Sequence, residues 1–158
     1  MIIIHNKGDE MRLTNVLDTD QVVNEIKEIV SKNPSFRYPM YYLCECNGIS
    51  EEEECDYHLE EACRYFNSAK DPVCVIGHWL ASHNLNTPEK FGVESLNQIE
   101  GEHAIEVLEK VQQNNNFAVS DDARDFLVAM QRSQDEGISW QDSFNVNLPF
   151  WALQDVIN

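Results

Sequence analysis

Residues 120–137 constrain the fold of this chain more than any other stretch. Ser120-Asp121-Asp122 is a helix start: a side-chain oxygen able to accept from the first free amides, then carboxylates at the positive end of the helix dipole. Ala123, Phe126, Leu127 and Met130 follow at three- and four-residue spacing, which places them on one face. Gly137 stands where a helix closes in the left-handed conformation. Such a helix is marginal in isolation, so its apolar stripe requires a partner. Two other stretches offer one. Asp18-Thr19-Asp20 starts a run with Val22, Val23, Ile26, Ile29 and Val30 on one side. Asn24, Glu25, Lys27 and Glu28 are expected to face water, and the run ends at Asn33-Pro34. Ala104, Ile105, Leu108 and Val111 form a third stripe, closed by Asn114-Asn115-Asn116. Helices are therefore expected over 19–32, 102–113 and 121–136. Shorter helical pieces are expected after Thr87-Pro88-Glu89, around Trp79 and Leu80 as far as Asn84, and from Ser139 through Trp140 and Phe144.

Strand signals lie between the first two helices. Met40-Tyr41-Tyr42-Leu43-Cys44-Glu45-Cys46 is rich in strand formers and ends at the turn pair Asn47-Gly48. Cys63 to Phe66, a polar turn, and Val73 to Ile76 read as a hairpin, after which Gly77 allows a sharp change of direction. The expected class is α+β and mainly helical, with a small antiparallel sheet of 40–46, 63–66 and 73–76 packed on the three long helices. The 158 residues fit a single domain, 1–158. Residues 1–14 and 148–158 are read as arms that dock on it or on a partner. Ile2-Ile3-Ile4 is a short strand or a frayed end, and the tail carries Phe150, Trp151, Leu153, Val156 and Ile157. A homodimer through that tail is left open.

The charge balance excludes more than the motifs do. Twenty-eight acidic residues against eleven basic ones give a net charge of −17. A surface of that sign repels phosphates, so direct nucleic acid binding is not expected; it suits solubility and steering toward a basic partner. Glu51, Glu52, Glu53, Glu54, Asp56, Glu60 and Glu61 crowd together. They form a solvated helix face or loop, or a docking surface for a basic partner, nucleic-acid mimicry included. No apolar run approaches the roughly 18 residues of a membrane helix, and the first residues lack the basic region of a signal peptide. A cytoplasmic protein is expected, and no membrane partner. Its five irregularly spaced cysteines then read as free thiols.

Constellations that could carry chemistry are few. Cys44, Cys46, Cys55 and His58, with Cys63 to spare, could satisfy tetrahedral zinc. They lack Cys-x-x-Cys knuckles, however, and Cys44 and Cys46 on a strand would share an inward face. Cys74, His78 and Trp79, with Asp71 nearby, could make a small-ligand site or a thiol enzyme. The neighbours Val73 and Val75 instead predict a buried thiol, packed with Cys63 across two strands. His78 and His83 are five apart, which on a helix does not form a shared ligand face. His103 between carboxylates reads as a surface residue. There is no glycine-rich phosphate loop and no Gly-x-Ser-x-Gly elbow. No catalytic residue and no cofactor are expected.

Two blocks carry a resemblance. Cys63-Arg64-Tyr65, the turn, and Pro72-Val73-Cys74-Val75-Ile76-Gly77-His78-Trp79-Leu80 form the first. Phe117-Ala118-Val119-Ser120, Ala123, Leu127, Gln131, Gln134-Asp135-Glu136-Gly137 and Ser139-Trp140 form the second. Over residues 62 to about 146 the chain resembles a family of small uncharacterised accessory proteins encoded by actinobacteriophages. The resemblance implies a phage accessory protein in a bacterial host cell; the lack of an active site, the acidity and the apolar tail make binding of a host macromolecule, a host protein, for host takeover or anti-defence, the expected function. The resemblance itself supplies no activity and no functional residues.

Overall fold

The computed structural model describes residues 2–6, 11–37 and 64–148. Five α-helices carry most of its regular secondary structure: α1 (Thr19–Lys32), α2 (Val75–Ser82), α3 (Ala104–Asn114), α4 (Asp121–Asp135) and α5 (Trp140–Asn147). Two 3-10 turns, Pro88–Phe91 and Leu96–Ile99, lie between α2 and α3. Three strands, β1 (Ile2–Asn6), β2 (Met11–Leu17) and β3 (Phe117–Val119), form one sheet in the order β1-β2-β3. None of the described helices is long and apolar enough to cross a membrane.

The helices begin and end on the residues that capping chemistry selects. Asp18 Oδ1 accepts from the Gln21 amide at 2.9 Å, and Ser120 and Ser139 cap α4 and α5 in the same way. At the end of α4, Gly137 takes φ +80, its amide donates to Gln134 O, and the Ile138 amide donates to Ser133 O. That is the Schellman closure. α2 closes likewise on Asn84, a non-glycine residue at φ 58, with Leu85 N reaching back to Leu80 O. The buried pair Leu80 and Leu85 supplies the apolar contact that accompanies this turn.

The sheet differs from the expected one. β1 and β2 are antiparallel, with Ile3 opposite Thr14, but β2 and β3 are parallel, with Val16 opposite Ala118. Among the described residues, none of the expected strands contributes. Residues 40–46 lie outside the described residues. Of 63–66, the described part makes a single bridge, Phe66 to Pro72, around a turn in which Asn67 N donates to Asp71 O at 2.9 Å. Residues 73–76 lead into α2 instead. The reason is that a short, wholly buried apolar run has no polar face, so its periodicity does not separate strand from helix. Capping decides the matter: Cys74 Sγ accepts from the Gly77 amide at 3.3 Å, and the His78 amide donates to Cys74 O at 2.9 Å.

The parallel pair explains how the long helices meet. β2 runs through Asp18 into α1, and β3 runs through Ser120 into α4. The strands are joined where they end, Ser120 N donating to Leu17 O at 2.9 Å, and the two helix starts are tied by Thr19 Oγ1 and Ser120 Oγ at 3.1 Å. Two strand-to-helix units thus lie side by side and launch their helices together. Val22, Val23, Ile26 and Val30 of α1 and Ala123, Phe126, Leu127 and Met130 of α4 enclose one core. α2 is buried within it, with Val75, Ile76, Trp79 and Leu80 inaccessible. A Cβ on Gly77 would run into the Tyr65 carbonyl oxygen, with Tyr65 C only 3.0 Å away. The glycine is what lets the helix lie against that backbone.

Candidate functional site

The residues around Cys74 do not converge into a reactive site. Cys74 is wholly buried, and its sulfur serves as the cap of α2. A buried glutamine pair seals it in: the Val75 amide donates to Gln134 Oε1 at 3.2 Å, and Gln134 Nε2 donates to Gln131 Oε1 at 2.7 Å. Gln131 Nε2 continues the chain to Asp135 Oδ1 at 2.8 Å. His78 meets the ring of Trp140 edge-on at 5.5 Å. Burial, with a smaller contribution from the nearby charge of Lys32, holds this imidazole below its ordinary pKa. Trp79 instead packs against His83 and Phe117. The three side chains serve three different contacts. Cys63, the expected cross-strand partner of Cys74, lies outside the described residues.

A polar cluster that the sequence did not suggest ties α1 to α2. Glu25, expected to face water, turns inward. Its Oε2 accepts from Trp79 Nε1 at 2.8 Å and lies 2.7 Å from His83 Nε2, and its Oε1 accepts from Gln21 Nε2 at 3.0 Å. Trp79 and His83, one helical turn apart, meet ring to ring at 5.1 Å, and Phe117 closes the other side of His83 at 5.4 Å. Burial pushes the Glu25 carboxyl upward, but hydrogen bonds with His83, Gln21 and Trp79 outweigh it and hold the group below the usual carboxylate range. The four-residue spacing of Trp79 and His83 was the available signal. It acquires meaning only once Glu25 is known to lie opposite. Chemically this is an oriented carboxylate–imidazole pair in an aromatic setting, and no cluster of three or more metal-binding side chains occurs among the described residues. It acts as a clamp between two helices.

The open feature lies elsewhere, between the start of α3 and the last turns of α4. A groove of about 790 Å³ runs there, with Ala104, Ile105 and Val128 as apolar wall and Glu102, Asp135 and Glu136 as carboxylates. His103, which also borders it, is the N-cap of α3, its amide donating to Glu106 Oε2 at 2.9 Å. Lys110 pairs with Glu102 Oε1 at 2.8 Å.

Glu51, Glu52, Glu53, Glu54, Asp56, Glu60 and Glu61 lie outside the described residues, as do Cys44, Cys46, Cys55 and His58. The two points from which that stretch departs are fixed to the fold. Before it, Arg37 Nη1 donates to Gly137 O at 2.6 Å, and Phe36 O accepts from the Trp140 amide at 2.9 Å. After it, Arg64 Nε lies 3.5 Å from Glu100 Oε1, and the Tyr65 hydroxyl donates to Glu102 O at 2.7 Å. No family model, curated protein or solved structure matches this chain.

Proposed function

We propose that this chain is a small acidic accessory protein of phage type that works by binding a host macromolecule, a protein with a basic surface. The observation that carries the reading is how unevenly its charge is distributed. Residues 38–63 hold Glu45, Glu51, Glu52, Glu53, Glu54, Asp56, Glu60 and Glu61 and no lysine or arginine. Arg37 and Arg64, on either side, are engaged with the fold at Gly137 and Glu100. An uncompensated acidic stretch held between two fixed points raises the local concentration of a basic partner and orients it. The competing thiol reading has against it the burial of Cys74 and its use as a helix cap.

The test is capture of partners from a bacterial host lysate with the wild-type chain and with a variant in which Glu51, Glu52, Glu53, Glu54, Asp56, Glu60 and Glu61 become the corresponding amides. The reading expects a basic protein retained by the first and lost from the second. Equal retention by both would end it.

A further inference from the structure

We infer that the α3–α4 groove receives a lysine or arginine side chain of the basic partner. This inference rests on the function proposed above and gives it an address. The groove has the dimensions and the chemistry for such a group. Its volume of about 790 Å³ exceeds what one long side chain needs, and it leaves room for the flanking backbone. Ile105 and Val128 offer apolar wall, against which the methylene stem of a lysine or arginine packs while its charged head stays polar. Ile105 is one of two large apolar side chains exposed among the described residues, at 40 %. Its exposed area at the groove is what a partner's stem would cover.

The head group meets carboxylates. Asp135 and Glu136 border the groove with Arg132 beside them, while the third carboxylate of the lining, Glu102, is already engaged by Lys110. Asp135 is held by Gln131, which is itself buried and linked to the start of α2, so this wall is fixed before any partner arrives. The groove also lies near the point where the described chain resumes. Arg64 and Tyr65, the first described residues there, are bound to Glu100 and Glu102, and Gly101 and Glu102 form part of the groove's rim.

The experiment titrates fluorescently labelled nona-arginine and nona-lysine peptides into the full chain. Three proteins are compared: wild type, the groove variant Asp135→Asn with Glu136→Gln, and a charge-matched control. The control, Glu28→Gln with Asp122→Asn, alters exposed positions on α1 and at the opposite end of α4. We expect the groove variant to weaken binding about tenfold, and the control by no more than about twofold, since both lose the same charge. In wild type, the methyl resonances of Ile105 and Val128 should shift on titration. That readout does not depend on how any variant folds. Equal weakening by the two variants with still methyl signals would overturn the groove while leaving the acidic docking surface standing. Failure of wild type to bind either peptide at low salt would overturn both.

Discussion

At the scale of single residues, Gly77 and Glu25 carry the account. Gly77 is required by contact, not by its own backbone angle: a methyl group there meets a backbone carbonyl, which has no flexible end to move aside. Gly77→Ala should therefore destabilise the fold by about 3 kcal/mol or more, in the range of overpacked cores. Gly137→Ala meets nothing within 4 Å and is limited by its φ of +80, so about 1 kcal/mol is expected. Denaturant unfolding of the two variants gives the comparison, and similar losses would refute the close approach of α2 to Tyr65. Glu25 makes a prediction in pH. Its carboxyl titrates lower in the folded chain than the ordinary 4.5, so the clamp contributes stability above that value and loses it as pH falls through the folded pKa. Stability measured against pH should fall less steeply below 4.5 in Glu25→Gln than in wild type.

At the scale of elements, the sequence was most legible where a helix had one wet face. The stripe of α1 and the stripe of α4 with Gly137 behind it were visible because polar residues mark the opposite side; on α3 Ala104, Leu108 and Val111 are buried as expected, but Val107 completes the stripe and Ile105 is exposed. The start of α2 has no such contrast: Val75, Ile76 and Gly77 are all buried, so Val73 to Ile76 read as a strand, while the helix around Trp79 and Leu80 was legible. The sheet was hidden for a different reason. β3 is three residues long, too short for any period, and its partner β2 stands one hundred residues away in the chain. Parallel pairing at that separation is settled by where α1 and α4 must pack, not by anything local. The clamp was illegible for the same cause, because Glu25 sits among residues that do face water and only the approach of α2 turns it inward. A double-mutant cycle on Glu25→Gln and His83→Gln should show coupling between α1 and α2 of about 0.5 kcal/mol or more. Strict additivity would mean that the clamp is ornamental.

At the scale of the whole molecule, charge dominates. A net charge of −17 makes the compact state repel itself, and added salt screens that repulsion. Thermal unfolding should shift upward as sodium chloride is raised from about 10 mM to about 200 mM, a range over which the screening length shrinks from roughly 30 Å to below 10 Å. A shift downward would show that local ion pairs outweigh the self-repulsion. The same charge is the feature of the sequence on which the proposed function rests, since a strongly acidic composition disfavours phosphate partners and favours basic ones. The groove was not legible, because Ile105 and Val128 belong to different helices and Glu102 precedes one of them. Only their packing makes an opening.

The central claim is that the acid between Arg37 and Arg64 recruits a basic protein. Its most direct test is the affinity of the captured host partner measured across increasing salt, for wild type and for the variant with seven amides. The account predicts steep weakening with salt for wild type and weak, nearly salt-independent binding for the variant. Tight binding by both that is indifferent to salt would contradict it.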